Sequence, residues 1–422
     1  MYKYLFVFIL LCHTLFSQTK KNILLKNGIA HIGNGMVIEN SYVSITDGKI
    51  NLVTDARATR LDMHAFDTII NVEGKHIYPG LIAPNCVLGL QEAESIRATN
   101  DFAEIGEYNP HIRALTAYNT ESKVLETAKT NGVLYTQSTP RYGVISGTSS
   151  VFATSGWNWE DAVIRIDDGI HLNFPEFISK QAHHSDDINN HYNSKINELH
   201  TFFENALAYS KRDIVDNENL RLEAMKGLFN GSKTLYIHAD YVKDIIAAIN
   251  FSNTFKIKKM VIVGGKDSYK ITKMLKENHI AVMLNRLHDL PSLPESDVDL
   301  MYKIPYLLQK DSVLFCLQNQ GDLEAMNARN ISFLAGTAAA YGLTKEQALQ
   351  SITLNSAKIL GVDHLIGSIE NGKLASIIVS DGDILDMKTN HVILAFMNGR
   401  LMNLENFQNT LYKKYSKKFD IK

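Results

Sequence analysis

Charge of one sign, cysteine, tryptophan and long apolar runs are all scarce in this 422-residue sequence, and each scarcity removes a class of protein. Forty-three Lys and Arg stand against 45 Asp and Glu, a net charge of −2, so the basic footprint of a nucleic-acid partner is missing. The one basic cluster, Lys413, Lys414, Lys417 and Lys418, reads as the solvated face of a terminal helix. Three cysteines cannot make a disulfide framework; Cys86 and Cys316 sit in apolar strand-like runs and read as buried thiols. Beyond the N-terminal segment no stretch approaches the ~18 uninterrupted apolar residues of a membrane span. Trp157 and Trp159 are the only tryptophans and read as rim packing that could line a pocket. What remains is an ordinary globular balance, 45% hydrophobic and 21% charged, with no repeat and no low-complexity tract.

The first residues carry an address. Lys3 gives a positive start, Leu5 to Leu11 form an apolar run, and Ser17 precedes polar Gln18 and Thr19. That succession is a secretory signal peptide over 1–17, which makes the mature protein periplasmic or secreted. Lipid attachment at Cys12 is disfavoured by bulky Leu11 before it.

Two patterns organise the rest. Residues 22–73 alternate short β-branched runs with Asn27-Gly28, Asn34-Gly35 and Asp47-Gly48, which are hairpin signals. Ser376 to Ser380 and Val392 to Phe396, with Asp381-Gly382 and Asn398-Gly399, repeat that character near the other end. Between them, apolar strands at Leu81–Leu88, Val133–Ser138, Leu235–Ala239, Met260–Val263, Ala281–Leu284 and Val313–Leu317 alternate with helical stretches such as 241–250, 268–276 and 345–351. Such alternation over ~290 residues predicts parallel βαβ units closed into a barrel. Residues 195–229 read as one long helix or a helical pair.

The framing motifs resemble those of the amidohydrolases, most closely the imidazolonepropionase-like branch. Tyr78-Pro79-Gly80-Leu81-Ile82 matches the entry into the first barrel strand. Ala348-Leu349 through Thr353-Leu354-Asn355-Ser356-Ala357-Lys358-Ile359-Leu360-Gly361 matches a late helix, and Gly367-Ser368-Ile369-Glu370-Asn371-Gly372-Lys373 the return to a β domain. The resemblance implies an α/β fold, a (β/α)₈ TIM barrel of the amidohydrolase type plus a small β-sandwich domain formed from both chain ends. The expected limits are 1–17 leader, 18–78 and 368–405 small β domain, 79–367 barrel and 406–422 helical tail.

The resemblance also implies a divalent metal such as zinc, which turns bound water into hydroxide for hydrolysis of C–N bonds other than peptide bonds. The family's ligands are His-x-His ending strand one, Lys or Glu on strand four, histidines on strands five and six, and Asp after strand eight. Here Asn85 and Val87 hold the first pair and Gly264 the strand-six position; Asp167 and Asp168 lie near strand four without a firm match. His238 matches strand five, as a remnant metal position, and Asp322 the strand-eight aspartate in both metal and catalytic roles, with Gln320 as a rival placement. Most metal ligands are therefore expected to be absent, and no cofactor is assigned. Asn85, Arg286 and His288 are candidate substrate-binding residues on the rim, where Arg286 and His288 could hold an anion. His183, His184 and His191, among aspartates and asparagines, read as a solvated loop; Ser146-Gly147-Thr148-Ser149-Ser150 lacks the lysine of a phosphate loop. Two functions stay open: a C–N hydrolase with a reduced site, or a non-catalytic binding or partner protein that uses the rim for a small molecule.

Overall fold

The computed structural model describes residues 22–177, 185–212, 217–291 and 295–419. The leader read at 1–17 lies outside them, as do His183, His184 and the side chain of His191.

Five strands open the described chain: β1 Ile23–His31, β2 Val37–Thr46, β3 Lys49–Asp55, β4 Thr68–Asn71 and β5 His76–Pro79. Asp47-Gly48 joins β2 to β3 with both residues at positive φ, 53° and 76°, the two-residue turn that matches the twist of paired strands. Asn27-Gly28, expected to be a turn, is not one. Asn27 sits at φ 67° inside β1 where the register with β2 shifts, so the dipeptide forms a bulge and the strand runs on.

After Gly80 the chain enters a second sheet: β6 Leu81–Cys86, β7 Val133–Ser138, β8 Ile145–Ala153, β9 Val163–Asn173, β10 Thr234–Ala239, β11 Met260–Gly264, β12 Ala281–Leu284 and β13 Phe315–Leu317. These eight strands are hydrogen-bonded in chain order, with helices such as Val242–Thr254 and Leu300–Lys310 between them, as the amidohydrolase-type barrel requires. One strand departs from strict alternation: β8 runs antiparallel to both β7 and β9, while the pairs from β9 to β13 and β6 with β7 are parallel. The apolar pattern missed both β8 and β9. All of β8 is buried, yet its middle is Ser146-Gly147-Thr148-Ser149-Ser150. Those hydroxyls are satisfied internally: Thr148 donates to Pro110 O at 2.7 Å, and Ser150 Oγ accepts from Asp167 N at 2.9 Å. Burial of a bonded hydroxyl costs little, so a polar strand can hide inside a barrel. Residues 195–229 resolve into a pair, Ser185–Ser210 and Leu220–Asn230.

The return strands β14 Ile377–Ser380, β15 Val392–Met397 and β16 Arg400–Leu401 join the opening ones, because β14 pairs β5 on one side and β15 on the other. The result is an eight-stranded sheet from both chain ends with its own core of Leu25, Val43, Ile77, Ile377 and Phe396. The tail helix Phe407–Lys418 lies on the helix Lys123–Thr130, where Asn406 Nδ2 donates to Thr130 Oγ1 at 3.1 Å. Among the described residues no helix is long and apolar enough to cross a membrane.

Candidate functional site

The fourth and fifth barrel strands, β9 and β10, bring His171 and His238 together at their C-terminal ends. His171 Nδ1 lies 3.0 Å from His238 Nε2, and His171 Nε2 lies 3.1 Å from Ser149 Oγ. His171 is fully buried and stacks on Tyr236 at 4.6 Å between centroids. Burial pushes the His171 pKa well below the usual histidine range, with His238 and Arg141 adding to it. His238 falls to about 3, first through burial and then through the Arg141 charge. Both rings are therefore neutral at physiological pH.

Beneath them Asp168, also fully buried, anchors the layer. Tyr236 OH donates to it at 2.7 Å, Gln137 Nε2 at 2.8 Å and Ser149 Oγ at 2.8 Å. Burial raises its pKa, and those three donors oppose the rise by favouring the carboxylate. Asp167, its neighbour, turns the other way and pairs with Arg113 at 2.9 Å. His171, on the fourth strand of the barrel, was not among the sequence candidates; a lone histidine in Gly169-Ile170-His171-Leu172 gave no ligand spacing to find it by.

On the first strand, Pro84 precedes Asn85 at φ 46°, where the register of β6 against β7 shifts. Asparagine tolerates that left-handed conformation, and the bulge re-aims its side chain. Asn85 Nδ2 donates to Gln320 Oε1 at 3.0 Å and lies 3.5 Å from Gln318 Oε1, bridging the two edge strands of the barrel. Gln318, fully buried, also donates to Asn285 Oδ1 at 3.1 Å. Arg141 clamps Asn85 from below, to its Oδ1 at 2.9 Å and its O at 2.8 Å, and pairs with Glu324 at 2.8 Å. Val87 is buried in the apolar core.

The remaining expected residues part company. Gly264 lies at φ 99°, and a Cβ there would stand 2.4 Å from Asp240 Oδ1, so no histidine can replace it without moving backbone or carboxylate. Asp322 lies on an exposed loop beyond β13, because the strand ends at Leu317 and Gln318 takes the inward place. Arg286 reaches that loop and donates to Asp322 O at 3.2 Å. His288 faces away, 2.7 Å from Thr337 Oγ1 on the helix Ile331–Ala340. The structure therefore brings His238, Gln320, Arg286 and Asp322 around one cavity of about 500 Å³, holds Asn85 buried behind Gln320 and outside the lining, and leaves His288 outside it too. The donor set does not fit the family's metal. Two imidazoles bond to each other, Asn85, Gln318 and Gln320 supply amides, and among the described residues no group of three or more His, Cys, Asp and Glu side chains could hold an ion.

Comparison with known proteins agrees with this architecture. The profile of the Amidohydrolase family matches residues 299–413. An amidohydrolase from Thermotoga maritima MSB8 superposes with a TM-score of 0.76 at 26% identity, over 90% of this chain and 99% of that one. An adenine deaminase of Desulforamulus reducens is 26% identical over 193 residues, 43% of this chain and 32% of the relative. An imidazolonepropionase of Shewanella frigidimarina is 35% identical over 89 residues, 21% and 20% of the two chains. The chain thus spans about a third or less of the curated relatives it matches. By fold it is an amidohydrolase-type barrel, and its C-terminal part carries the family's profile. The likeness to imidazolonepropionases spans about a fifth of the chain.

Proposed function

We propose that this chain keeps the amidohydrolase barrel as a receptor for a small polar molecule and has given up metal-dependent hydrolysis, acting outside the cytoplasm once the leader 1–17 is removed. The observation that carries the reading is the His171–His238 bond. The imidazoles nearest the strand ends each spend a nitrogen on the other, at 3.0 Å, and Asn85, Gln318 and Gln320 supply neutral amides where charged or imidazole ligands would be needed. Amide oxygens are poor partners for zinc, and a hydroxide nucleophile at neutral pH depends on the metal's charge. The cavity that remains is polar and roomy enough for a small ligand. Elemental analysis of protein purified in zinc-supplemented medium tests this: well under one zinc per chain is expected, and about one or more retained through dialysis overturns it.

A second reading, hydrolysis of a C–N bond other than a peptide bond, is favoured by the 193-residue similarity to a protein named adenine deaminase. His238 and Asp322 would carry it. Release of ammonia from adenine by the zinc-free protein decides for this reading; no release above buffer decides against it.

A further inference from the structure

The tail helix Phe407–Lys418 leaves most of its apolar face uncovered. Phe407, Leu411, Tyr415 and the capping Phe419 recur at every fourth residue and so share one face. Tyr412 widens that face, lying three residues from Tyr415 and seven from Phe419. A row of this spacing normally packs on a core. Yet no residue of this helix is buried, and Phe407, Tyr412, Tyr415 and Phe419 are 47–65% exposed. Among the described residues its hydrogen bonds to the barrel come from its start, Asn406 to Thr130 and Thr127 Oγ1 to Gln408 Oε1 at 3.1 Å. Past that turn the aromatic row meets solvent.

The charge beside the row has one sign. From 400 to 419 the chain carries Arg400, Lys413, Lys414, Lys417 and Lys418 against one acid, Glu405, in a protein whose net charge is −2. Glu405 pairs with Lys413, and among the described residues the other three lysines meet no carboxylate. Lys414 Nζ lies 5.8 Å from the Tyr415 ring centre and Lys418 Nζ 5.1 Å from that of Phe419, so two ammonium groups ride at the edge of the row. The same character continues at the base of the helix. A cavity of about 670 Å³ there is lined by Asn403, Lys129, Arg400 and Trp157, whose indole is 90% exposed, with Asp47 and Asp161 also on its wall. Burial lowers the pKa of Lys129, and the acid nearest it in sequence, Glu126, is spent on Lys123 at 2.8 Å.

We propose that the tail helix docks flat on an anionic membrane surface, with Tyr412, Tyr415 and Phe419 in the interface and the lysines among lipid phosphates. An exposed aromatic row with a basic margin calls for a partner that is anionic at its surface and apolar beneath, and a bilayer with anionic headgroups is both. A second copy of the helix would set four lysines against four. A nucleic-acid duplex offers phosphates but no apolar layer for the row. Twelve residues are too few to span a bilayer, so the helix lies on the surface. The inference goes beyond the receptor reading and does not depend on what the barrel cavity holds.

Flotation of the mature protein with vesicles tests it, using phosphatidylcholine alone and phosphatidylcholine mixed with phosphatidylglycerol. Binding to the anionic vesicles is expected to be at least about tenfold tighter, and to weaken steeply with added salt. Lys414→Gln/Lys417→Gln/Lys418→Gln should lower it by about tenfold or more. Tyr412→Ser/Tyr415→Ser/Phe419→Ser should lower it comparably with every charge intact. These side chains are exposed, so both variants should melt with the wild type. Lys417→Gln alone, expected to lose several-fold, carries the charge test even where a triple variant frays the helix. Equal binding to neutral vesicles, no binding to either, or variants that bind like the wild type would each overturn the proposal. So would a dimer in analytical ultracentrifugation that the aromatic variant dissociates, or a DNA duplex bound as tightly as the anionic vesicles.

Discussion

His171 and His238 couple the site to acidity. Both have folded-state pKa values below the histidine norm of 6.5, His238 at about 3. A depressed histidine means that the unfolded chain takes up protons the folded one refuses. The stability these rings contribute is therefore present above pH ~6.5 and lost as pH falls from there toward ~3. Asp168 has the opposite sign, since burial raises its pKa, and its contribution is lost as pH rises through that raised value. Its three donors limit that effect, so the imidazoles should dominate between pH 7 and 5. We expect the urea midpoint to drop over that interval, and to drop less in His171→Gln/His238→Gln. An equal drop in the variant would mean that other groups govern acid unfolding. Gly264 illustrates a different residue-scale constraint: its φ of 99° and the nearby Asp240 oxygen commit the sixth strand to glycine, whatever the function of the barrel.

Single elements hold their ends by local chemistry that the sequence spells out. The helix Lys345–Ser351 begins at Thr344, whose hydroxyl accepts from Gln347 N at 3.2 Å while the Gln347 side chain accepts from Thr344 N at 2.9 Å. This reciprocal cap satisfies two backbone donors the helix cannot reach itself. Thr344→Ala should cost about 1 kcal/mol in chemical denaturation, with Thr344→Ser recovering most of it. Asp47-Gly48 and Asn398-Gly399 act similarly for the small sheet. Both dipeptides are at positive φ, and a Cβ on Gly48 would stand 2.8 Å from Asn398 O, so the two hairpin turns are packed against one another. The bulge at Asn27 shows the limit of such local signals: the same dipeptide type makes a turn only where the strand ends there.

Across the whole molecule the two sheets are joined by a strand that serves both cores. Along β14, Ile377 and Val379 enter the small-domain core while Ile378 enters the barrel cluster, as do Ala395 and Met397 from β15. Tyr135 OH and Ser376 Oγ, 2.6 Å apart and buried, add a polar tie across the seam. Alternation on a strand with both faces covered makes the domains unfold together. Ile378→Ala should cost about 2–5 kcal/mol, the range for truncating a buried Ile. Near-ultraviolet and far-ultraviolet dichroism should lose signal at one common midpoint in the variant. Two separated transitions would show that the sheets are independent units.

The sequence by itself determined the barrel plan, the barrel strands with apolar runs and the small domain from both ends. These are local facts, written in periodicity, turn dipeptides and residue type. The reversed strand β8 and its partner β9 escaped notice because buried serine and threonine carry no apolar period, and only their hydrogen bonds make that burial tolerable. His171 was unreadable for a related reason: its role comes from a neighbour 67 residues away, 3.0 Å across the strand pair. His288 had the right residue type in the right region yet turns away, and Asp322 reaches the cavity from an exposed loop, because where β13 ends and which way a loop turns decide each outcome. Those depend on packing between distant elements, which tertiary structure alone supplies.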